Sequence, residues 1–173
     1  MIITQPKTSD EFEQMFRLNY QTFVDEIPQH QTNENKILVD KFHEKNRYFI
    51  AKDGDTVVGM ICYSTKRPFS LDAKVADLDS FLPAHDTIAE VRLLSVQKEY
   101  RHGRLAYRLI KHLSHELLQK GIYTAVISGT TRQLSFYNKI GFIPFGNLVG
   151  TREAAYQPMY ITLNDLRSVF KSY

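Results

Sequence analysis

Cysteine is nearly absent from this 173-residue chain: there is one, Cys62. A lone thiol cannot close an internal disulfide, a usage that fits a reducing compartment. Cys62 falls inside an apolar strand-like run, so it reads as a small buried hydrophobe and not as a nucleophile. Long apolar runs are missing too. None approaches the roughly 20 residues that a membrane helix requires, and the N-terminus has no basic segment followed by an apolar signal region. These absences predict a soluble, cytoplasmic protein with no membrane partner. No Lys/Arg stripe interleaved with aromatics accompanies the small net charge of +3, so nucleic acid is not an expected partner either. A Gly-x-Ser-x-Gly elbow is lacking, which leaves Ser-His-Asp chemistry unsupported. Repeats, low-complexity tracts and linkers are also lacking. The whole of 1–173 is therefore expected to be one domain, and 43% hydrophobic residues suffice to bury a core.

What is present alternates between strand and helix signals. Ile2-Ile3-Thr4 reads as an opening strand, and Ser9-Asp10 starts a helix with acidic residues in its first turn. Phe12, Met15, Phe16, Tyr20 and Phe23 form one stripe on that helix, read as core packing. Residues 29–44 are polar with a few embedded apolar residues, a short helix or ordered loop. The runs 47–51 and 56–63 are strands joined at Asp53-Gly54, because Gly accepts positive φ at little cost. Residues 65–87 form a long connection with Leu78, Phe81 and Leu82 as a local apolar cluster, expected to be a partly ordered lid or substrate loop or else a simple surface excursion.

The informative stretch is 89–146. Val91, Leu93, Leu94 and Val96 form a short apolar run that reads as a buried strand, and a charged turn over 97–103 follows. From Leu105 the period changes: Leu105, Leu109, Ile110, Leu113, Leu117 and Leu118 recur at spacings of three and four. Gly121 stops that helix, and 123–128 is a second strand-like run. Strand, turn, helix, strand is a crossover unit, whose strands should run parallel. The turn into the helix N-terminus offers unpaired N–H groups and a favourable dipole to an anion such as phosphate, with Arg101, His102 and Arg104 adding positive charge. His112 and His115 sit three apart on the same helix, but no third ligand lies at a suggestive spacing, so no metal is expected. Later come a helix signal over 131–140 stopped by Gly141, a short edge strand at 142–145 containing Pro144, a last strand over 156–163, and a closing helix capped by Asn164 and running through Phe170.

Taken together, Glu90 to Ile110 and Ser135 to Gly146 resemble the core of the GNAT acyltransferase superfamily. Its motif reads Arg or Gln, two residues, Gly, one residue, Gly or Ala; here Arg101 takes the first place and Ala106 the last. Arg104 stands where the family usually has its central Gly, and His102 where a Gly often follows the first Arg. Such a Gly lets backbone approach a pyrophosphate closely, so Arg104 should reshape the cradle. The stretch from Phe16 to Glu26 also resembles the opening of acyl-homoserine-lactone synthases and N-acyl amino acid synthases, a branch of the superfamily. Tyr20, Asp40 and His43 fall where that branch carries polar and acidic groups.

The resemblance implies an α/β (α+β) domain with a mixed sheet of six or seven strands and about four helices. It also implies acetyl-CoA or another acyl-CoA as co-substrate, bound at Leu94, Ser95 and Val96 on the strand and at Arg101, His102, Gly103, Arg104, Leu105, Ala106 and Tyr107 on the turn and helix. Glu90 matches a base in several relatives, and Tyr137 matches the tyrosine that many use to protonate the departing thiolate. A phenol with a pKa of about 10 is protonated at neutral pH and can do so. The expected reaction is N-acyl transfer to a small-molecule amine or amino acid by direct attack. Two alternatives stay open: a long-chain N-acyl amino acid synthase-like enzyme with an acyl carrier protein as donor and partner, and a non-catalytic module that binds CoA or a metabolite. A homodimer is also left open.

Overall fold

Strand β1 (Ile2–Thr4) pairs antiparallel with β2 (Arg47–Asp53), and β2 with β3 (Thr56–Ser64). The computed structural model describes residues 1–84 and 87–164. The tight turn between β2 and β3 is Gly54-Asp55, with Gly54 at φ +59°, one residue later than the sequence suggests. A bulge at Ala51/Lys52 accompanies it. Helix α1 (Ser9–Tyr20) starts at Ser9, as the sequence suggests. Its cap is Thr8, whose hydroxyl accepts the Glu11 N–H at 3.1 Å while the Glu11 carboxylate accepts the N–H groups of Thr8 and Lys7. This capping box satisfies donors that a helix start leaves open. Lys52 Nζ adds an ion pair to Glu11 at 2.7 Å, and these bonds hold the Glu11 carboxyl down at about 2.

After Tyr20 the helix does not end. It widens into a π-helix, Gln21–Glu26, closed by the Ile27 N–H donating to Thr22 O at 2.9 Å. The chain then crosses an ordered loop to a single 3₁₀ turn at His43–Lys45.

The described chain forms two compact units, each built from two separate stretches of sequence. The first holds Met1–Tyr63 and Arg92–Leu113. In its core Met15 and Leu18 of α1 pack with Tyr48, Ile50, Val57, Met60 and Cys62, and Phe12, Phe16 and Leu93 lie against them. Cys62 is fully buried, as expected of a small hydrophobe. Helix α2 (Leu105–Gln119) places Leu105, Leu109, Ile110, Leu113 and Leu117 inside, the stripe read from the sequence. Gly59 lets α2 come close, because a Cβ there would sit 3.1 Å from Leu109 and 3.3 Å from Leu105. Gly121 ends the helix as expected: its N–H donates to Leu118 O, the Ile122 N–H to Leu117 O, and its own φ is +73°.

The second unit holds Ser64–Val91 and the described part of 114–173. Here β4 (Ile88–Val96) runs parallel to β5 (Thr124–Thr130), the crossover that the sequence predicts. β7 (Tyr156–Thr162) pairs antiparallel with β5 and with β6 (Ile143–Pro144). The sheet order is β1-β2-β3-β4-β5-β7-β6, seven strands with the proline-bearing β6 at one edge, where a missing N–H is tolerated. A 3₁₀ turn (Thr131–Gln133) leads into α3 (Leu134–Ile140), which Gly141 stops at φ +111°. The expected closing helix through Phe170 lies, beyond Asn164, outside the described residues.

The connection read as a partly ordered lid is ordered over 65–84. Phe69, Leu71 and Leu78 are buried in a cluster with Ile88, Val126, Phe145 and Tyr156. Phe81 is exposed and stacks on Phe145 of that cluster at 5.4 Å. Arg67 ties the segment together by pairing with both Asp72 and Asp79.

Candidate functional site

Strand β4 changes character midway. Its ladder with β5 covers Ile88 to Glu90, and Leu93 then adopts φ +58°, a conformation uncommon for a residue with a Cβ. The kink disrupts the alternation of a regular strand, so Arg92, Leu93 and Leu94 are half-buried in succession and Ser95 and Val96 are buried. Ser95 Oγ has no hydrogen-bond partner among the described residues. A buried hydroxyl left unpaired by protein groups is uncommon.

The turn after β4 is pinned on several sides. The Gln97 N–H donates to Val58 O and its amide to Val57 O, both at 2.9 Å. Tyr100 Oη donates to Asp53 Oδ2 at 2.8 Å. Arg101 Nε donates to Val96 O at 2.8 Å, and its two terminal nitrogens meet the two oxygens of Glu26, each at 2.8 Å. His102, Gly103 and Arg104 are exposed, Leu105 is buried, and Ala106 and Tyr107 are half-buried. The Arg108 N–H donates back to Arg104 O at 3.0 Å. Leu105, Ala106 and Tyr107 form the first turn of α2, whose positive dipole end, together with basic side chains, favours an anion there.

Two further candidates stand in the second unit, Glu90 on β4 and Tyr137 on α3. Glu90 is 2% exposed. Its Oε1 accepts the Ser70 N–H and its Oε2 the Leu71 N–H, each at 2.9 Å, so the carboxylate holds the 64–84 segment against β4. Tyr137 packs edge-on against Phe142 at 5.7 Å and against Phe136 at 5.4 Å. Gly129 makes room for it, since a Cβ there would lie 3.2 Å from the Tyr137 ring and 2.9 Å from Met159 Sδ. Burial pushes the Tyr137 phenol up to about 12, which keeps it protonated throughout the neutral range. Tyr156, which the sequence did not single out, has a buried hydroxyl without a partner among the described residues. Burial, followed by the nearby charge of Glu90, raises it to about 12.

The acetyltransferase (GNAT) family model matches residues 10–142. The chain belongs to the GNAT family. It is an acyltransferase, and solved GNAT-fold structures align over nearly all of it. The CoA-dependent acyl-homoserine lactone synthase BjaI, solved with SAM and isopentyl-CoA, is 25% identical over 92% of this chain and 80% of that one, with a TM-score of 0.73. FeeM, an N-acyl amino acid synthase from uncultured soil microbes, is 19% identical over 96% and 93%, with a TM-score of 0.76. The acyl-homoserine lactone synthase LasI is 15% identical over 99% and 94%, with a TM-score of 0.80. The last two likenesses speak for the fold. No curated protein sequence matches the chain significantly.

This GNAT protein carries a polar cluster that sequence reasoning saw only in part. Asp40 and His43 were singled out; the structure adds Arg92, Asn46 and Tyr48. Arg92 meets both oxygens of Asp40, at 2.7 and 2.9 Å. Asn46 donates to Asp40 at 2.8 Å and to Tyr48 Oη at 3.1 Å, and His43 Nδ1 lies 2.9 Å from the same Tyr48 oxygen. The Phe42 ring lies under the Arg92 guanidinium at 5.2 Å. A charged Arg between the apolar Val91 and Leu93 of the strand was the available signal. Tyr20 instead joins its hydroxyl to the backbone of Asn33. His112 sits edge-on to Phe49 at 4.8 Å, and no group of three or more His, Cys, Asp or Glu among the described residues is placed to hold a metal. Nor is any described helix long and apolar enough to cross a membrane.

The bonds to Glu90 give a first prediction. In Glu90→Gln one of the two N–H groups faces an NH₂ instead of an oxygen, so a buried donor is orphaned. The expected loss is about 1–3 kcal/mol of stability, with faster proteolytic cleavage within 64–84. Unchanged stability and cleavage would show that the segment is held by other contacts.

Proposed function

We propose that the protein transfers an acyl group from an acyl-CoA, acetyl-CoA by default, to the amine of a small molecule or amino acid. The observation that carries this reading is the β4–turn–α2 unit: the N-terminal end of α2 with its favourable dipole, basic side chains beside it, and the buried Ser95 hydroxyl on the strand that leads into it. Donor phosphates lie over Arg101 to Tyr107, and the thioester end runs along Leu94, Ser95 and Val96. The similarity to BjaI, whose structure was solved with isopentyl-CoA and SAM, supports an acyl-CoA donor. Attack by the amine is direct, because the thiol of Cys62 is fully buried and offers no covalent route. Tyr137 protonates the departing thiolate. Glu90 is the candidate base. The site belongs in the cytoplasm, and neither metal nor nucleic acid takes part.

A second reading has an acyl carrier protein as the donor. The side chain of Arg104 favours it, because that side chain occupies the position where GNAT motifs keep glycine for the pyrophosphate. Titration of CoA into wild type and Arg104→Gly separates the two. If Arg104 pairs with a phosphate, the variant binds CoA more weakly by the loss of charge-assisted bonds worth about 1.5–3 kcal/mol each. A clear gain in affinity would instead mean that Arg104 blocks the cradle, and the carrier-protein reading would replace the first. Turnover screens with several acyl-CoAs and amine acceptors then identify both substrates.

A further inference from the structure

Glu26 stands at the end of the π-helix and reaches the turn that starts 75 residues later at Arg101. The pair is two-pronged, with both oxygens engaged at 2.8 Å. The Glu26 side chain is 19% exposed and that of Arg101 36%. Together with the bond from Nε to Val96 O, all three nitrogens of the guanidinium point at acceptors that belong to the protein itself. The cation expected to greet the donor phosphates is thus already neutralised, and a carboxylate stands next to the place where they would arrive.

We infer that Glu26 is a donor-selecting residue, which weakens binding of acyl donors in proportion to the phosphate charge they bring to the turn. The inference rests on the proposed reading that donor phosphates lie over Arg101 to Tyr107. A carboxylate within a few ångströms of a phosphate repels it, and it also competes for the fork geometry by which Arg grips either anion. CoA carries a pyrophosphate and a ribose phosphate; phosphopantetheine, the arm of a carrier protein, carries a single phosphate. Glu26 therefore disfavours CoA more than it disfavours the arm. Glu26 is the last residue of the π-helix, and π-turns recur at functional sites.

The test compares wild type with Glu26→Gln, which keeps the side-chain shape and removes the charge, and with Glu26→Ala in case the amide repacks. Affinities for CoA and for free phosphopantetheine are measured by calorimetry at two salt concentrations, with thermal melting as the check on folding. Glu26→Gln is expected to tighten CoA roughly three- to tenfold, the order expected for removing one nearby charge at a surface. Phosphopantetheine should change by less, and the CoA gain should shrink at high salt. Equal or weaker CoA binding by both folded variants, while wild type binds CoA, overturns the inference and leaves the donor reading standing. If neither wild type nor variant binds CoA or phosphopantetheine, the donor reading fails and takes the inference with it.

Discussion

Phenylalanine in place of Tyr137 is expected to lower turnover by about 10²–10⁴-fold, the range of a general acid–base group, while the melting temperature moves little. The aromatic contacts with Phe136 and Phe142 survive the change, since only the hydroxyl is removed. Donor affinity should also stay close to wild type, which locates the loss in the chemical step. The raised phenol pKa has a consequence for the pH profile. An acid at about 12 remains protonated up to pH 9 or beyond, so this group imposes no falling limb in the working range. Turnover within a few-fold of wild type would remove Tyr137 from the mechanism.

The second large effect is structural. The Asp40 and Arg92 side chains are 6% and 17% exposed, and the Asp40 carboxylate also accepts from Asn46 and the Phe42 N–H. Asp40→Ala leaves a largely desolvated guanidinium and two further donors without their acceptor, for which a loss of about 3–5 kcal/mol is expected. In a chain of this size that lowers the melting temperature by roughly 6–20 °C, at about 2–4 °C for each kcal/mol. Desolvation pushes the Asp40 carboxyl up, but the hydrogen bonds and charge of Arg92 outweigh it, and the net shift is downward. A carboxyl lowered on folding stabilises above its unfolded pKa, and that stability is lost as the pH falls through the folded one. Wild type should therefore lose stability in acid along a limb that Asp40→Ala lacks. Combining Asp40→Leu with Arg92→Met should restore much of the loss, because an apolar pair of similar volume carries no desolvation cost. A loss below about 1 kcal/mol in the single variant would mean that the pair is a surface-like contact.

Much of the frame was legible because local signals and tertiary structure agree. The period changes from strand to helix at Leu105, where α2 begins, and Gly121 and Gly141 stop their helices with positive φ. Pro144 marks an edge strand, and β6 is one. The missing parts are those that depend on partners far along the chain. Arg92 and Asp40 are 52 residues apart, and Glu90 and Ser70 are 20 apart, spacings that carry no periodic signal. The order of the segment over 65–84 was hidden for this reason: its polar composition suggested looseness, but two backbone N–H groups bound to a buried carboxylate fix it. The π-helix was hidden as well, since Phe16, Tyr20 and Phe23 fit an ordinary helical stripe. The kink at Leu93 escaped because leucine gives no warning of positive φ.

The interleaving of the two units also bears on how the chain can assemble. The first opens at Met1 but takes Arg92 to Leu113 as its second stretch, with all of Ser64 to Val91 in between. Nascent chain up to Tyr63 lacks the Arg92 that Asp40 requires and the Leu105 and Leu109 that cover Gly59. No stretch ending before residue 113 holds the whole first unit, and the second waits for β7. Domains that are contiguous in sequence can fold as they emerge. Here the buried residues of the first core all fall between Met15 and Cys62 and can meet early, but neither unit is complete until its second stretch joins it, and a fragment cut between the units in sequence would contain neither whole.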